Sequence, residues 1–317
     1  VDEGMRPAWL LRLGLFLYDH LGGRDILPGT RSVNLLTDHR GDPLQKRLKK
    51  GFAYSDCWVE DARLVSLTAR DAADRGADIR TRAECIGLDR GADRWNLAIQ
   101  QQGEIITEQA KILVNAAGPW VDPVTSLYDR SSNAAKLRLV KGSHIVVKRK
   151  YDGDYSYIFQ NRDGRIIFAI PYEGEHTLIG TTDEPWSYAE GDAKISDGEI
   201  GYLCDAASEY FEIPVTRDDI QWTYSGVRPL FDDHSRSAAT VTRDFVFDYD
   251  KENGAPVLSV FGGKITTYRV LALQAIRTLS DALDIDGDDW TKKAHLPGGD
   301  FAPDGFDALV DQYADRW

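Results

Sequence analysis

The sequence predicts a mixed fold, α/β in one part and α+β in the other, on three observations. A helix over residues 61–75 precedes short strands and the continuous apolar run Ile112 to Val114, which is typical of a strand buried on both faces of a parallel sheet. From about residue 136, four strand segments separated by turn signals predict an antiparallel meander. A late strand near residue 257 runs through two glycines into a long helix. We therefore expect part of a nucleotide-binding α/β domain together with a separate antiparallel layer.

The first predicted element is a helix in the apolar segment PAWLLRLGLFLYDHLGG. Pro7 at its start and Gly22-Gly23 at its end are typical helix boundaries. The segment contains Arg12 and Asp19 and is shorter than the roughly 20 apolar residues that a bilayer span needs. Its apolar residues surround the helix axis, which favours a buried core helix. A helix lying on a membrane surface is the alternative.

Hairpin strands and a capped helix fill the middle of the chain. One or two strands are predicted within 77–91, and the segments 94–102 and 104–110 predict an antiparallel hairpin. The meander strands are predicted at 136–149, 155–160, 165–172 and 176–183. Ser196 and Glu199 have capping-box spacing, so a helix is expected to begin there.

The last elements are three strands and a closing helix. The strands are predicted at 219–230, 239–250 and 256–263. The helix after Thr266 is expected to bury the stripe Ala272, Ala275, Ile276, Leu279 and Leu283.

The composition limits the classes of function. The 317 residues include 42% hydrophobic residues, enough for a sizeable core, and 38 basic against 51 acidic residues give a net charge of −13. Such a charge argues against nonspecific nucleic-acid binding, so an anionic ligand needs a local basic pocket. The cysteines Cys57, Cys85 and Cys204 have neither zinc-ligand spacing nor the pattern of a disulfide framework, and no metal site is predicted.

The stretch SVFGGKITTYR, residues 259–269, predicts an anion site where a strand becomes a helix. The first N–H groups of a helix lack internal partners and carry a partial positive charge, and Lys264 adds a full one. The phosphate-binding P-loop pattern fails, because Leu258 replaces its first glycine and Ile265 follows the lysine. A capped helix with a solvated lysine is the alternative interpretation.

Basic residues also stand beside glycines at three other places. These are Lys141-Gly142-Ser143-His144, Gly226-Val227-Arg228-Pro229 and Thr242-Arg243-Asp244. Structural roles are open for each of them. Arg228 could pair with Asp232 or Asp233, Arg243 could pair with Asp244, and His144 could be a hydrogen-bonded core histidine.

These residues lie in motifs that resemble those of the FAD-dependent glycerol-3-phosphate dehydrogenases. The motifs, in the family's order from about Pro7 to Gly299, are YSDCWVEDARL, ILVNAAGPWVD, LVKGSHIVV, LIGTTD, DDIQWTYSGVRPLFDD, VTRDF, SVFGGKITTYR and LPGG. The resemblance implies oxidation of sn-glycerol 3-phosphate to dihydroxyacetone phosphate, with electrons passed to quinone.

The resemblance also implies a domain organisation of the D-amino-acid-oxidase type. Residues 1–57 and 131–244 would form the antiparallel substrate domain, and 58–130 and 245–297 would form a Rossmann-like FAD domain. Residues 298–317 would begin a truncated C-terminal helical domain. The family's opening G-x-G-x-x-G turn, which binds the ADP half of FAD, is not found in the 317 residues. We therefore expect this chain alone to bind FAD weakly and to be inactive.

The roles of single residues follow from the same resemblance. His144 would be the general base and Lys264 would stabilise the developing alkoxide, while Arg228, Arg243 and Lys264 would bind the substrate. The cofactor FAD would contact Ala117, Gly118, Trp120, Arg228, Gly263, Lys264, Ile265, Thr266 and Thr267. The helix N-terminus after Lys264 would face the isoalloxazine ring, whose reduced form is anionic.

Partners and rival functions complete the expectations. The resemblance implies peripheral attachment to the cytoplasmic face of the inner membrane and no nucleic-acid partner, and we allow for a homodimer. One rival is a flavin oxidase of the same fold that acts on an amino or hydroxy acid. The other is a non-catalytic module for anion binding or assembly.

Overall fold

The computed structural model describes residues 6–21, 27–129, 137–232, 244–284, 289–302 and 304–314. The helices are α1 (Ala8–Leu21), α2 (Asp61–Asp74), α3 (Val121–Thr125), α4 (Asp197–Ser208), α5 (Tyr268–Leu283) and α6 (Phe306–Ala314). The strands are β1 (Arg31–Asn34), β2 (Lys50–Ala53), β3 (Ala83–Arg90), β4 (Trp95–Gln101), β5 (Glu104–Ala110), β6 (Leu113–Asn115), β7 (Leu137–Lys148), β8 (Tyr157–Gln160), β9 (Ile166–Tyr172), β10 (His176–Gly180), β11 (Glu184–Pro185), β12 (Ile220–Phe231), β13 (Phe245–Asp250) and β14 (Val257–Gly262).

The chain folds as two compact units. The first combines Val1–Cys57 with Arg138–Val241, and the second combines Trp58–Leu137 with Thr242–Trp317. The chain passes between the units after residues 57, 137 and 241. The domain boundaries that the sequence predicts, after residues 57, 130 and 244, stay a prediction. The binding roles of the units stay a prediction, as does the assignment of residues 298–317 to a further helical domain.

The first unit is built on a six-stranded sheet with the order β11-β7-β10-β9-β8, in which β12 also pairs with β7. Neighbours in this order run antiparallel, and β8, β9 and β10 form a meander, but β7 pairs with β10 instead of β8, so the predicted four-stranded meander is wrong for its first strand. Gly180 of β10 lies opposite both His144 of β7 and Phe168 of β9. Ile145 and Ile179 point to the other face, where they are fully buried in a core shared with α4. His144 and Gly180 therefore lie on the sheet face opposite α4, because side chains alternate along a strand.

Helix α4 begins at the predicted capping box. The Ser196 hydroxyl accepts a hydrogen bond from the Glu199 N–H at 3.2 Å, and the Glu199 carboxylate accepts one from the Ser196 N–H at 2.8 Å. Leu203 and Ala207, one helical turn apart, then face the sheet and are buried. The capping box fixes where the helix starts and hence which of its residues reach the core.

The second unit contains two three-stranded sheets. Strands β3, β4 and β5 form an antiparallel sheet, while β13 and β14 form a hairpin whose strand β14 pairs in parallel with β6. Arg90 joins β3 to the hairpin: its Nη1 lies 2.7 Å from Asp250 Oδ2, and its Nε donates to the Ala255 carbonyl at 2.8 Å. The hydrogen bond from Arg90 lowers the pKa of Asp250 far below its usual range. Fully buried Trp95 donates to the Pro256 carbonyl at 2.9 Å, which adds a second link.

Three predictions about burial are wrong. Helix α1 is not a buried core helix, since Trp9 is 68% exposed and Phe16 is 49% exposed. An all-round apolar helix needs neighbours on every side, and the described residues supply them on one side alone. Strand β6 is not buried on both faces, because Val114 is 46% exposed. In α5, Leu279 is buried while Ile276 is 47% exposed. Within the described ranges, no helix is both long and apolar enough to cross a membrane.

Candidate functional site

The second unit has a candidate ligand-binding edge where two parallel strands end together. Leu113 of β6 pairs with Val257 of β14, and Asn115 pairs with Ser259, so the carboxyl ends of both strands reach the same edge. Ligands of open α/β sheets bind outside the carboxyl ends of parallel strands. The turns that follow β6 and β14 are therefore the candidate cofactor-binding elements of this unit.

The turn after β14 exposes the beginning of helix α5. Gly262 and Gly263 have φ values of +73° and +92°, which residues with a Cβ rarely adopt. Lys264 follows in extended conformation, and its carbonyl accepts hydrogen bonds from the N–H and hydroxyl groups of Thr267, at 3.0 and 3.1 Å. The side chains of Lys264 and of the next three residues are exposed. The lysine charge and the first amide groups of the helix are thus accessible to an anion.

The turn after β6 is held by a residue that the sequence analysis missed. Asn115 is 3% exposed, donates to the Val121 carbonyl at 2.9 Å, and accepts from the Ala117 N–H at 3.4 Å. This bonding shapes the turn in which Gly118 has a φ of +57° and Trp120 is 59% exposed. The sequence signal that could have identified Asn115 is a polar residue at the end of an apolar run, because a buried amide group must find hydrogen-bond partners.

In the first unit, the Arg228 side chain lies over Gly142. A Cβ at position 142 would stand 2.3 Å from Arg228 Nη2, which only glycine avoids. Nη2 donates to the Thr181 hydroxyl at 2.8 Å, Nη1 donates to Asp183 Oδ1 at 2.5 Å, and both lie 3.4 Å from the Thr182 carbonyl. Among the described residues, none accepts a hydrogen bond from Nε. The side chain is 37% exposed, and Nε is its one nitrogen without a hydrogen-bond partner in the described ranges, so we take the Nε edge as the candidate contact for a ligand.

His144 lies against the same face of the sheet. Its ring stacks on Tyr224 with centroids 4.9 Å apart, and it covers Gly180, where a Cβ would be 2.2 Å from the imidazole Cδ2. Its buried Nδ1 has no hydrogen-bond partner among the described residues. Burial, and then the positive charge of Arg228, lower the pKa of His144 to about 4. The imidazole is therefore neutral near pH 7 and can accept a proton.

The structure tests several of the expected contacts. Among the described residues, the carboxylate that pairs with Arg228 is that of Asp183 rather than Asp232, because β12 brings Arg228 next to the segment that follows β10. His144 is not a fully hydrogen-bonded core histidine. Arg243 lies outside the described residues, as does Asp233. The supporting residues Gly142, Gly180, Thr181 and Asp183 were not predicted, since strand pairing rather than spacing in the sequence brings them together.

The donor set fits an anionic, planar cofactor in the second unit. Gly118 leaves open space where a Cβ would stand, and the Gly262–Gly263 turn presents amide groups and Lys264 at the same sheet edge. A reduced flavin is anionic at its pyrimidine end, which such amide groups stabilise. No group of acidic, histidine and cysteine side chains able to hold a metal ion is found in the part of the chain that the structure describes.

The second unit thus has a parallel-strand edge of the kind that binds nucleotide cofactors, and the first unit has a neutral histidine and an arginine on one face of its sheet. The chain belongs to the family of FAD dependent oxidoreductases (DAO), which matches residues 20–269. The expected fold class and cofactor are thereby confirmed.

The chain is similar in sequence to several dehydrogenases that act on phosphorylated polyols, according to their names. The chain is 46% identical over 314 residues to D-erythritol 1-phosphate dehydrogenase of Brucella abortus, covering 98% of this chain and 62% of that one. It is 44% identical over 298 residues to aerobic glycerol-3-phosphate dehydrogenase of Escherichia coli, covering 93% and 59%. A glycerol-3-phosphate dehydrogenase of Pseudomonas aeruginosa is 42% identical, covering 99% and 61%. The chain thus spans about three fifths of the length of these relatives.

Solved structures agree with this assignment. The glycerol-3-phosphate dehydrogenase from Bacillus halodurans complexed with FAD superposes with a TM-score of 0.73 at 25% identity, covering 90% of this chain and 59% of that one. L-alpha-glycerophosphate oxidase from Mycoplasma pneumoniae with FAD bound has a TM-score of 0.62 at 15% identity, covering 84% and 68%, which shows the shared fold alone.

The fit between Gly142 and Arg228 yields a first prediction. Gly142→Ala should force the guanidinium away from Thr181 and Asp183 while the protein stays folded, because the crowded atom is the end of a flexible side chain. Losing this partly exposed ion pair should cost about 1 kcal/mol or less. Gly201→Ala in α4 is the matched control, because an added Cβ there would lie 4.0 Å from its nearest neighbour, Arg217 Nη2. Crystal structures and denaturant unfolding of both variants provide the measurement, and an unmoved Arg228 in Gly142→Ala would contradict this account.

The pKa of His144 yields a second prediction. The unfolded chain binds a proton at this imidazole below about pH 6.5, whereas folded His144, with its pKa near 4, does not. Stability should therefore fall as the pH decreases from about 6.5 towards 4, by up to about 2 kcal/mol between pH 7 and pH 5. The variant His144→Gln has no group at this position that titrates between pH 7 and pH 5. Its stability should therefore decrease by about 2 kcal/mol less than that of the parent protein over this interval. Urea unfolding at both pH values measures the difference, and equal losses in the two proteins would show that His144 titrates normally.

Proposed function

We propose that the full-length protein is an FAD-dependent dehydrogenase that oxidises the C2 hydroxyl of sn-glycerol 3-phosphate, giving dihydroxyacetone phosphate. The observation that carries the proposal is the pairing, on one sheet face, of a neutral buried imidazole with an arginine whose Nε edge is accessible. The first group suits removal of a hydroxyl proton, and the second suits a phosphate. The relatives named glycerol-3-phosphate dehydrogenase support the same substrate.

Each residue has a defined role in this proposal. Arg228 binds the phosphate through charge-assisted hydrogen bonds, and Arg243 adds a second cation. His144 accepts the C2 hydroxyl proton, and Lys264 stabilises the negative charge that develops on that oxygen. A flavin held there would supply the acceptor for the hydride that leaves C2. Ala117, Gly118, Trp120 and the segment Gly263–Thr267 hold the flavin ring, with Arg228 as a further contact.

Phosphate binding should also make His144 a stronger base. The Arg228 charge is one of the two causes that lower the pKa of His144. A bound dianion compensates that charge and so raises the pKa towards the working pH, where general-base catalysis is most efficient. A substrate without phosphate would leave the imidazole weakly basic. This coupling gives the phosphate a part in catalysis as well as in binding.

D-erythritol 1-phosphate is the second candidate substrate, and the 46% identity to a dehydrogenase of that name favours it. It offers the same two functional groups, a phosphate and a secondary hydroxyl, on a chain longer by one carbon. The roles of Arg228 and His144 are therefore unchanged for either substrate. An amino or hydroxy acid is less well matched, since its carboxylate carries one charge where the phosphate carries nearly two.

A substrate comparison tests the proposal. The full-length protein should reduce a dye with glycerol 3-phosphate or D-erythritol 1-phosphate but hardly with glycerol. Arg228→Ala should lower kcat/KM for the phosphorylated substrates about 10- to 150-fold, the value of one charge-assisted hydrogen bond of roughly 1.5–3 kcal/mol. Arg217→Ala, which removes an exposed cation paired with Asp197 in the same unit, is the control and should leave kcat/KM unchanged. Comparable kcat/KM for glycerol and glycerol 3-phosphate would eliminate phosphate recognition.

We further propose that the full-length protein passes electrons to quinone and attaches peripherally to the cytoplasmic face of the inner membrane. A homodimer is one assembly that we propose for it. The exposed apolar side chains of α1, among them Trp9 and Phe16, support a surface location. The protein should leave the membrane pellet under high salt or carbonate and reduce a soluble quinone analogue. Retention in the pellet after both washes would show that the attachment is integral.

A further inference from the structure

A carboxylate is buried on the α4 side of the sheet, behind the face that carries His144 and Arg228. Glu199 is 4% exposed. Its carboxylate accepts hydrogen bonds from Ser143 Oγ at 2.8 Å, Thr182 Oγ1 at 2.7 Å, and the Ser196 N–H and hydroxyl at 2.8 and 2.9 Å, with Lys141 Nζ at 3.0 Å. An ion buried to this degree is tolerated only when its lone pairs are satisfied in this way.

The bonding keeps Glu199 ionised. Burial alone would raise the pKa of this carboxyl, but hydrogen bonds outweigh the effect and lower it to about 2. The groups responsible are the Ser196 backbone, Thr182, Ser143 and Lys141. The negative charge is therefore a fixed part of the folded unit at any pH where the protein would be assayed.

Two of these bonds lead directly to Arg228. Thr182 donates its hydroxyl to Glu199, while its carbonyl lies 3.4 Å from both terminal nitrogens of Arg228. Ser143 lies 2.8 Å from the hydroxyl of Ser225, which precedes Arg228 on β12 by three residues. The Ser143 N–H also donates to the Thr182 hydroxyl at 2.9 Å. One carboxylate thus ties together β7, the segment after β10, and β12.

We propose that Glu199 is a positioning residue for Arg228. By fixing the Thr182 carbonyl and the register of β12, its carboxylate holds the guanidinium over Gly142 with the Nε edge accessible. The identity of the ligand at that edge rests on the proposed function, but the positioning itself does not. A preorganised arginine loses less side-chain entropy when a phosphate binds. Loss of the Glu199 charge should therefore weaken phosphate recognition beyond any effect on folding.

The alternative is that Glu199 merely caps α4, and the chain contains a matched control for it. Asp219 occupies the same capping-box position after Thr216, accepts from its N–H and hydroxyl at 2.8 and 3.0 Å, and pairs with Lys150 at 3.5 Å. In the part of the chain that the structure describes, none of these bonds leads to Arg228. Asp219→Asn removes a charge, one accepting oxygen and a lysine ion pair, as Glu199→Gln does.

A double-mutant cycle in the full-length protein tests the proposal. Glu199→Gln should lower kcat/KM for glycerol 3-phosphate at least about fivefold, mainly through KM, as expected for residues in one hydrogen-bond network. In the Arg228→Ala background the same exchange should have almost no effect. Asp219→Asn should leave kcat/KM unchanged in both backgrounds. An equal loss from Glu199→Gln with and without Arg228 would overturn the proposal, because a structural role is additive.

A second pair of variants covers the case in which Glu199→Gln does not fold. Thr182→Val removes the hydroxyl that links Glu199 to the Arg228 contact, and Thr182→Ser retains it. KM should rise in the valine variant and be restored in the serine variant. Equal KM values for the two would contradict the positioning role.

Binding and structure separate this proposal from the proposed function. Propyl phosphate, which has no hydroxyl to oxidise, should bind the parent protein with a Kd measurable by calorimetry. Absence of that binding would eliminate the phosphate site and the proposed function. The role of Glu199 is then decided by the crystal structure of Glu199→Gln, or of Thr182→Val if that variant alone folds. Displacement of Arg228 from Thr181 and Asp183 supports the proposal, and an unmoved Arg228 overturns it.

Discussion

The candidate site of the first unit depends on two positions where the sheet carries no side chain. Gly142 and Gly180 leave the space that the Arg228 guanidinium and the His144 ring occupy, and a Cβ at either position would overlap them. Alternation along β7 then gives its two faces opposite characters. Ser143 and Ile145 point into the core beside α4, while His144 points to the open face. The same strand therefore supplies both the buried network around Glu199 and the groups that a substrate can reach.

In the second unit the decisive constraint is pairing between distant parts of the chain. Strand β6 meets β14 in parallel, although about 140 residues separate them, and Arg90 and Trp95 bind the β13–β14 hairpin through Asp250 and Pro256. These links fix where β14 ends. The position of the Gly262–Lys264 turn, and with it the beginning of α5, follows from them. A cofactor site at this edge is thus stabilised by contacts that no ligand touches.

The sequence predicted what local chemistry determines. The capping box at Ser196 begins α4, and β14 ends at Gly262, the first of two consecutive glycines. The partner of Arg228 could not be found in this way. Asp232 and Asp233 are near in sequence, whereas Asp183 comes close only because β7 places the end of β10 next to β12. The prediction that α1 is buried was wrong for a related reason. The apolar residues of a helix do not show which other part of the chain packs against them.

The electrostatics of Arg228 limit how the site can recognise an anion. The guanidinium is paired with Asp183, and the chain as a whole carries −13, so long-range attraction of a phosphate is weak. Affinity must then come from directional hydrogen bonds at short range. The accessible Nε edge of a fixed guanidinium supplies these, and its value depends on how firmly the guanidinium is held. That dependence gives functional weight to a buried, ionised carboxylate that is linked to Arg228 through one hydrogen-bonded residue, because this carboxylate sets the geometry of recognition where charge alone cannot.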